Sequence, residues 1–518
     1  MILIGIIGGE MDIKRIAIVG GGTAGWLAAN HLGKALQEND QLSITLIESP
    51  DIPTIGVGEG TVPAIRQSLQ SFGISETEFI RRCDVTFKQS IKFVNWLDKS
   101  QHGQDNFYHH LFDMPGSVLQ DLTARWLANK NSCYAGSVSP QHEVCEAFRA
   151  PKNISDPEYV GKLGYAYHLN AAKFAKLLGE NAKQRFRVEH LWANVQEVIL
   201  GKDGEIVSLV TDSAGKLDFD FYIDCSGFAS ILIDKALKVP FLNKAEQLFV
   251  DKAVVVQVPT ANDDVIPPFT ISTAHQAGWI WDIALSNRRG IGLVYSSKYM
   301  DDETAISKLD TYLGGTLAEH QHRIIPMTVG YRERSWEKNC VALGLAQGFL
   351  EPLEATSILL TDFAAGFLAQ RFPDTTSQLA AIQQRFNHVM GYAWERVVDF
   401  IKLHYCLSDR EDSQFWIDNR DPETMSVELK NRLAQWQDFV PCREDFFSRF
   451  EVFDLENYLY VLYGMQHTPE RRQRNLELGA ESCALQHRLH TVAKQLTAEL
   501  PQHRDLLEKI KRYGLQKV

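Results

Sequence analysis

The sequence predicts an α/β fold in which strands alternate with helices, followed by a mostly helical module. An apolar, β-branched run at residues 16–19 passes directly into a glycine cluster and then into a helix-like segment at 27–36. A second apolar run, residues 219–225, also ends in a glycine-containing turn, and amphipathic helical sequence broken by prolines begins near Asp362. Alternating strands and helices indicate a parallel sheet, whereas the late helices indicate a separate module.

The glycine cluster has the spacing G-x-G-x-x-G at Gly20, Gly22 and Gly25. The first glycine permits a tight turn, the second lets the backbone approach a ligand, and the third lets helix and strand pack closely. The helix N-terminus then offers free N–H groups to a pyrophosphate. Glu48 ends the next apolar run, where an acidic residue would hold a ribose hydroxyl. The pattern predicts a Rossmann-like dinucleotide site.

Composition narrows the class of protein and its partners. A chain of 518 residues is too long for one small core, and its 45% hydrophobic content is ordinary for a globular protein. The formal net charge of −12 disfavours nucleic acid or an anionic membrane as the main partner. The eight cysteines include no CxxC pair, which favours reduced thiols in a cytoplasmic enzyme over a disulfide framework or a metal site.

The N-terminal residues 1–7 are apolar but too short to span a membrane. They also lack the basic region and cleavage signature of a signal peptide. Met11 stands just before the first predicted strand and is an alternative translation start. We therefore expect a cytoplasmic protein without a membrane segment.

Two later segments carry chemically informative residues. Around Lys88 the sequence alternates apolar and polar positions, which predicts a strand whose polar face would, on periodicity alone, expose Lys88 and Lys92 to solvent. Residues 107–113 are dense in aromatic rings and imidazoles, but no suitable further metal ligands stand out. We interpret that segment as a packed or substrate-lining wall.

Two further motifs indicate a wall and an anion site. Trp279 and Trp281 lie on one face of a predicted strand, either as a rigid apolar wall or as two core residues. An apolar strand then breaks at Gly344, and a helix begins near Thr356, where free backbone N–H groups would attract an anion. The acidic Glu354 stands beside that helix start.

Together these stretches resemble the flavin-dependent tryptophan halogenase family over most of the chain. The motifs are GGGTAGW at 20–26, GVGEGTVP at 56–63, FKQSIKFVNW at 87–96, DCSGF at 224–228, GWIWDIAL at 278–285, EPLEATSI at 351–358 and HYCLSDREDSQFW at 404–416. The first and fourth are shared with many flavoproteins, whereas the other five in this order are specific. The resemblance implies a Rossmann-like FAD-binding module of the flavin monooxygenase/halogenase type and a mostly helical substrate module.

We expect the FAD-binding module to span residues 12–385, with 95–160 contributing to the substrate pocket, and the substrate-binding module to span 386–518. The cofactor-binding residues implied by the resemblance are Gly20, Gly22, Thr23, Ala24, Gly25, Glu48, Val57, Gly58, Glu59, Val195, Asp224, Gly227, Leu345 and Ile358. The sequence contains no second G-x-G-x-x-G for NAD(P)H. The resemblance therefore implies FADH2 supplied by a separate flavin reductase, with the enzyme a monomer or homodimer.

The resemblance also assigns catalytic roles. Lys88 matches the family's catalytic lysine and Glu354 its glutamate, while chloride or bromide would be held by backbone N–H groups of Thr356 and Ser357. Many tryptophan-specific members have glycine where Ser357 stands. Hypohalous acid made at the flavin would pass through a tunnel to Lys88, which either donates a hydrogen bond to it or forms a haloamine. Glu354 would then orient the lysine, stabilise the cationic ring and help remove its proton.

The substrate side is implied by fewer matches. Trp279 and Trp281 would keep the substrate away from the flavin, with Ala284 replacing the proline of the family's W-x-W-x-I-P motif, and His110 and Phe112 would contact a flat aromatic ring.

Tyr458 lies where tryptophan-specific members carry a tyrosine pair, but Leu459 breaks that pair. Residues 466–469 do not resemble the loop that binds the amino acid's ammonium and carboxylate groups. The expected substrate is an indole other than free tryptophan, or a phenol, with free tryptophan as the alternative. A flavin-dependent hydroxylase and a non-catalytic flavin-binding protein are the other readings, although the tryptophan pair, Lys88 and Glu354 disfavour the hydroxylase.

Overall fold

The computed structural model describes residues 11–52, 56, 58–261, 263–469 and 480–517. The strands are β1 (Arg15–Val19), β2 (Ser43–Glu48), β3 (Glu59–Gly60), β4 (Thr86–Lys88), β5 (Ser90–Val94), β6 (Phe107–Leu111), β7 (Ala166–Leu169), β8 (Glu189–Trp192), β9 (Val195–Leu200), β10 (Ile206–Thr211), β11 (Gly215–Asp218), β12 (Phe221–Asp224), β13 (Phe241–Asn243), β14 (Lys252–Pro259), β15 (Phe269–His275), β16 (Gly278–Ala284), β17 (Arg288–Tyr295), β18 (His322–Pro326), β19 (Gly330–Arg332), β20 (Trp336–Glu337), β21 (Cys340–Ala342) and β22 (Gly348–Phe349). The α-helices are α1 (Thr23–Leu36), α2 (Ile65–Ser71), α3 (Glu76–Arg82), α4 (Lys99–His102), α5 (Leu119–Ala128), α6 (Tyr134–Val138), α7 (Gln141–Glu146), α8 (Ala171–Phe186), α9 (Asp302–Tyr312), α10 (Thr356–Gln370), α11 (Leu379–Cys406), α12 (Gln414–Asn419), α13 (Val427–Asp438), α14 (Leu455–Gly464), α15 (Ala480–Glu499) and α16 (His503–Tyr513).

A six-stranded sheet in the order β20-β21-β12-β1-β2-β8 holds the first glycine motif. Its strands are parallel except for β20, which pairs with β21 in the antiparallel sense. Ile16 and Ile18 pack into the cluster that includes α1, while Ala17 and Val19 pack into a second cluster on the opposite face. Burial of both faces explains the continuous apolar run of β1 and confirms the predicted α/β fold.

A seven-stranded sheet has the order β18-β14-β17-β16-β15-β5-β6. It brings the tryptophan strand β16 and the histidine strand β6 into one sheet. A small sheet, β3-β7-β4, places Gly60 and Lys88 at its edges. The sequence predicts one continuous strand around Lys88, which is wrong, because the segment forms two strands, β4 and β5, in different sheets. The chain passes from one sheet to the other at Gln89, whose N–H donates to the carbonyl of Pro268 at 2.7 Å.

The helical C-terminal part is organised around the 28-residue helix α11. This helix contacts α10, α12, α13 and α14, and α14 also packs against β6. The module boundary expected between residues 385 and 386 falls inside α11, so the chain has no linker at that point, and the two-module division stays a prediction. Within the described part of the chain, no helix is both long and apolar enough to cross a bilayer.

Candidate active site

Lys88 is fully buried, so the exposure predicted from its periodicity is wrong. Its strand β4 pairs with β7 at one edge. On the predicted polar face, Nζ of Lys88 donates a hydrogen bond to the carbonyl of Thr61 at 3.2 Å, so this face meets protein instead of solvent. The ammonium also lies 5.0 Å from the ring centroid of Phe112. Burial lowers the pKa of Lys88 to about 8, while the negative charge of Glu354 acts in the opposite direction.

Gly60 brings the lysine next to the start of α10. A Cβ on Gly60 would lie 3.3 Å from Nζ of Lys88 and 3.5 Å from Cβ of Ala355. Strand β3, the catalytic lysine expected from the sequence and the turn before α10 therefore meet at one point. The absence of a side chain at Gly60 leaves space between them.

The turn that begins α10 presents free backbone N–H groups. Ala355 adopts the left-handed conformation, with φ +56° and ψ +37°, and its side chain makes no capping hydrogen bond. Thr356 and Ser357 are the first residues of the helix, where N–H groups have no partner within the helix. A cavity is lined by both residues together with Gly344, Phe349 and Trp394. The turn has the chemistry of an anion site, and the predicted helix start at Thr356 is confirmed.

Glu354 is held between two buried imidazoles. Nδ1 of His110 lies 3.0 Å from both of its carboxylate oxygens, and Nε2 of His404 lies 2.9 Å from Oε1. Nε2 of His110 contacts Oδ1 of Asn457 at 2.8 Å. Burial raises the pKa of Glu354, but the two imidazoles outweigh burial and hold the pKa at about 2. The carboxylate is therefore ionised at neutral pH.

The two tryptophans of β16 lie side by side, both buried in the main core cluster, and their role as a wall stays a prediction. The ring centroids of Trp279 and Trp281 are 6.1 Å apart, with 56° between the ring planes. Gly292 on the neighbouring strand leaves room for Trp281, since a Cβ there would lie 2.1 Å from Cζ2 of the indole. Ala284, in place of the expected proline, remains in β16, and its carbonyl accepts a 2.7 Å hydrogen bond from Thr86.

Glu351 is hydrogen-bonded to one of these two tryptophans. Its Oε2 accepts hydrogen bonds from Nε1 of Trp279 at 2.6 Å and from the hydroxyl of Tyr405 at 2.5 Å. Burial raises the pKa of Glu351 to about 7. Sequence reasoning did not assign a role to Glu351, although it opens the EPLEATSI motif.

The first glycine motif has the shape that a dinucleotide requires. Gly20 has φ +118°, and a Cβ there would lie 2.1 Å from the carbonyl oxygen of Cys225, while a Cβ on Gly25 would lie 1.9 Å from the carbonyl oxygen of Gly20. Gly22, at the N-terminus of α1, has open space where its Cβ would be. The crowded glycines serve the turn, and the open one leaves the helix N-terminus accessible to a phosphate, which fits FAD.

The other cofactor-binding residues expected from the sequence surround this turn. Glu48 ends β2, as predicted, and pairs with Nε2 of His190 at 2.8 Å. The turn containing Leu345 touches α1, because a Cβ on Gly344 would lie 2.5 Å from Cβ of Ala24. Ile358 is buried in the first turn of α10.

Three further residues of the expected cofactor site, Gly227, Asp224 and Val195, differ in whether protein groups already occupy their surroundings. Gly227 has a positive φ of 68° and open space around it. The carboxylate of Asp224 accepts hydrogen bonds from the backbone N–H groups of Ser226, Leu232 and Ile233 at 3.0, 2.8 and 2.8 Å, so it supports the turn rather than facing a ligand. Val195 starts β9 and packs against the second core cluster.

The glycine-rich loop is described only in part. Gly58 has φ +144°, and a Cβ there would lie 3.5 Å from Cα of Gly290, beside the tryptophan strand. Burial raises the pKa of Glu59 to about 7. Val57 lies outside the described residues. Thr23 is the first residue of α1.

Two residues of α14 other than Tyr458 contact His110, and the role expected for Tyr458 stays a prediction. Tyr458 is buried, and its hydroxyl accepts a 3.1 Å hydrogen bond from Arg432. The ring of Tyr458 packs against Phe400, and Phe400 in turn packs against His110. Asn457 and Tyr460, three residues apart and so on one helix face, are the α14 residues nearest His110. Sequence reasoning did not single out Asn457, Tyr460 or His404. The i, i+3 spacing of Asn457 and Tyr460 and the position of His404 at the start of the HYCLSDREDSQFW motif were the signals that could have identified them.

Comparison with known proteins supports the resemblance found in the sequence. A profile described as tryptophan halogenase matches residues 15–481. The tryptophan 6-halogenase SttH of Streptomyces toxytricini is 35% identical over 478 residues, covering 87% of this chain and 89% of the relative.

Two solved structures have the same fold. A tryptophan halogenase from Shewanella frigidimarina superposes with a TM-score of 0.93 at 37% identity, covering 98% of this chain and 99% of that one. Tar14, a tryptophan C-6 flavin-dependent halogenase from taromycin biosynthesis, gives a TM-score of 0.90 at 32% identity, covering 96% and 100% of the two chains.

Proposed function

The chain belongs to the tryptophan halogenase family and is a flavin-dependent halogenase, and from that premise we propose that it uses FADH2, O2 and chloride or bromide to halogenate an indole other than free tryptophan. One observation carries the proposal. Buried Lys88, the Ala355 turn and the space left by Gly60 meet beside the carboxylate of Glu354. A cation, an anion-binding turn and a carboxylate in one buried place suit the transfer of an electrophilic halogen to a ring.

The glycine motif would hold FAD, whose reduced form with O2 would supply the two-electron oxidant that converts halide to hypohalous acid, with water as the other product. In this proposal the backbone N–H groups of Thr356 and Ser357 hold the halide. Trp279 and Trp281 separate the aromatic substrate from the cofactor side. Their tilted, mutually packed rings and the tight fit of Trp281 over Gly292 support a rigid partition.

Lys88 presents the hypohalous acid to the ring. The acceptor carbonyl of Thr61 and the negative charge of Glu354 favour the ammonium form, which can donate a hydrogen bond to the oxygen of hypohalous acid. Polarising that oxygen makes the halogen more electrophilic. Glu354, ionised between two imidazoles, stabilises the cationic ring and accepts its proton.

The choice of substrate rests on the tyrosines of α14. The hydroxyl of Tyr458 is taken by Arg432, and the hydroxyl of Tyr460 donates to the carbonyl of Asp113 at 3.0 Å, with the apolar Leu459 between them. The hydrogen of the Tyr460 hydroxyl therefore already has a protein acceptor, and Tyr458 is fully buried beside Arg432. This favours an indole that lacks the free amino-acid group, whereas the named relatives act on tryptophan.

A product assay tests the proposal. The purified chain is supplied with a flavin reductase, NADH, FAD and either chloride or bromide, together with tryptophan, indole and simple phenols in parallel. Mass spectra of indole products with a halogen isotope pattern, and none from tryptophan, are the expected result. Products that gain only oxygen would instead identify a hydroxylase, and halogenated tryptophan would correct the substrate.

A further inference from the structure

The edge of β4 that faces away from β7 is held by an imidazole from the C-terminal helix. The N–H of Phe87 in β4 donates to Nε2 of His503 at 2.9 Å, and Nδ1 of His503 lies 3.0 Å from the carbonyl oxygen of Ile266. Since a backbone N–H only donates and a carbonyl only accepts, Nε2 is the acceptor of this ring and Nδ1 carries its hydrogen. The ring is fully buried, and burial lowers the pKa of His503 to about 4, so it is neutral at neutral pH.

This imidazole fills a gap in a regular ladder of backbone hydrogen bonds. β5 pairs with β15 in the parallel sense, and the N–H of Gln89 continues that ladder by donating to the carbonyl of Pro268. Extended back along both segments, the same register sets Phe87 opposite Ile266, but there the ring of His503 stands between them and bonds to both. Pro268 and the proline before it have no N–H to donate to β4, which explains why the two backbones part at this point.

The position of the ring is set by the protein core. His503 begins α16 and lies beyond residue 481, where the match to the tryptophan halogenase profile ends. Its backbone N–H donates to the carbonyl of Phe148 at 3.0 Å, and α16 packs against α3. Leu507 and Ile510, on later turns of α16, are buried in the main core cluster. The imidazole is therefore a fixed spacer between β4 and the segment before β15.

Lys88 depends on this spacer because of its place in β4. It directly follows Phe87 and is the last residue of a strand only three residues long. From there its Nζ reaches the carbonyl of Thr61 at 3.2 Å. A strand this short has few backbone bonds to hold it, so loss of the bond at Phe87 would let the end that carries Lys88 move.

We propose that His503 is a positioning residue for halogenation, which holds β4 at a fixed distance from the segment before β15 and so keeps Nζ of Lys88 beside Thr61. This inference rests on the proposed function, in which Lys88 presents hypohalous acid to the ring. It makes the C-terminal helix a part of the active-site framework, although no residue of that helix was among the expected site residues.

Two substitutions separate the two bonds of the imidazole. Glutamine at position 503 extends to where Nε2 lies and keeps an acceptor for Phe87, whereas asparagine ends where Nδ1 lies and reaches only Ile266. In a single turnover with reduced FAD, O2, bromide and either indole or tryptophan, both variants should consume the flavin at the wild-type rate. Because a small misplacement of a reacting group reduces rates strongly, His503→Asn should halogenate the ring at least ~10-fold more slowly, and His503→Gln should stay close to wild type.

A second measurement reads the bond itself in the protein without cofactor. Hydrogen exchange followed by mass spectrometry should show faster deuterium uptake in the peptide covering residues 86–89 for His503→Asn than for wild type or His503→Gln. Ile510→Ala is the matched control, because it removes buried packing from the same helix at about 10 Å from His503 and leaves both imidazole bonds in place. It should match wild type in ring halogenation.

Three outcomes would overturn the inference. They are halogenation or deuterium uptake by His503→Asn at the wild-type level, a loss of halogenation in His503→Gln as large as that in His503→Asn, and an equal loss in Ile510→Ala, which would mark a general effect of loosening the helix. Wild type that halogenates neither indole nor tryptophan would instead refute the proposed function. The deuterium uptake at residues 86–89 does not depend on that activity, so the two failures are distinguishable.

Discussion

The indole N–H of Trp279 donates a 2.6 Å hydrogen bond to Oε2 of Glu351. This bond ties the wall on β16 to the segment that leads into the Ala355 turn. The proposed partition between cofactor and substrate and the proposed halide site are therefore linked through Glu351. Changes at Glu351 should affect both.

Glu351→Leu removes the acceptor for Trp279 and leaves two buried donors, Trp279 and Tyr405, without a partner. We expect the free energy of unfolding to fall by about 2–6 kcal/mol, since each of the two unsatisfied buried donors costs about 1–3 kcal/mol. We also expect more reduced flavin consumed per halogenated ring, because the wall loses its anchor. Urea unfolding and the ratio of product to flavin consumed measure the two effects, with Glu351→Gln as the control that keeps an acceptor. Equal coupling in wild type and Glu351→Leu would contradict the anchoring role.

Glu351 also predicts a pH dependence of stability. Because its pKa rises from 4.5 to about 7 on folding, the folded protein binds more protons than the unfolded chain. Its contribution to stability is complete below about pH 4.5 and is lost as pH rises through about 7. As pH rises from about 4.5 through about 7, the free energy of unfolding of wild type should therefore fall relative to that of Glu351→Gln. A difference that is flat with pH would show that Glu351 does not titrate there.

Lys88 predicts a pH dependence of the halogenation step. With its pKa lowered to about 8 by burial, the ammonium form is lost as pH rises through 8. Ring halogenation should fall above that pH while consumption of reduced flavin does not. A rate that instead rises above pH 8 would indicate the amine, and hence a haloamine route.

Gly60→Ala tests the space between Lys88 and Ala355. The added Cβ would lie 3.3 Å from Nζ of the lysine, whose flexible end would have to move. Because small misplacements of a reacting group reduce rates strongly, we expect ring halogenation to fall by about 10-fold or more with flavin binding retained. Gly391→Ala is the matched control, since a Cβ there meets nothing within 4 Å. Equal product formation by the two variants would contradict the convergence at Gly60.

Ala355→Gly tests the left-handed turn before α10. A non-glycine residue at φ +56° is strained by about 1 kcal/mol, so glycine should raise the free energy of unfolding by up to that amount. Ala355→Val should lower it, because a β-branched side chain fits that conformation less well. Urea titration of the three proteins gives the order, and the reverse order would show that the turn is not left-handed in solution.

The parts of the fold that the sequence predicted are those set by local chemistry. The strand before Gly20, the helix after Gly22 and the helix start at Thr356 each follow from residues within a few positions of one another. The strand around Lys88 was predicted, but its burial was not. Periodicity separates the two faces of a strand and does not reveal that Gly60 and the carbonyl of Thr61 lie against the polar one.

The contacts that sequence reasoning missed join distant segments. His110 and Glu354 are 244 positions apart, and Asn457 lies a further 103 beyond Glu354 in the chain. No local pattern connects them, because their meeting depends on how β6, α11 and α14 pack. The family resemblance supplied Lys88 and Glu354, whereas the supporting roles of His404, Asn457 and Glu351 required the structure.

A single-turnover assay separates formation of the oxidant at the flavin from halogenation of the ring at Lys88. In a single turnover with reduced FAD, O2, bromide and indole, Lys88→Met should consume the flavin at the wild-type rate and form almost no bromoindole. Lys92→Met is the control, a neighbouring lysine paired with Glu146 outside the site, and should brominate as wild type does. Bromoindole formed by Lys88→Met at the wild-type rate would contradict the central role of Lys88.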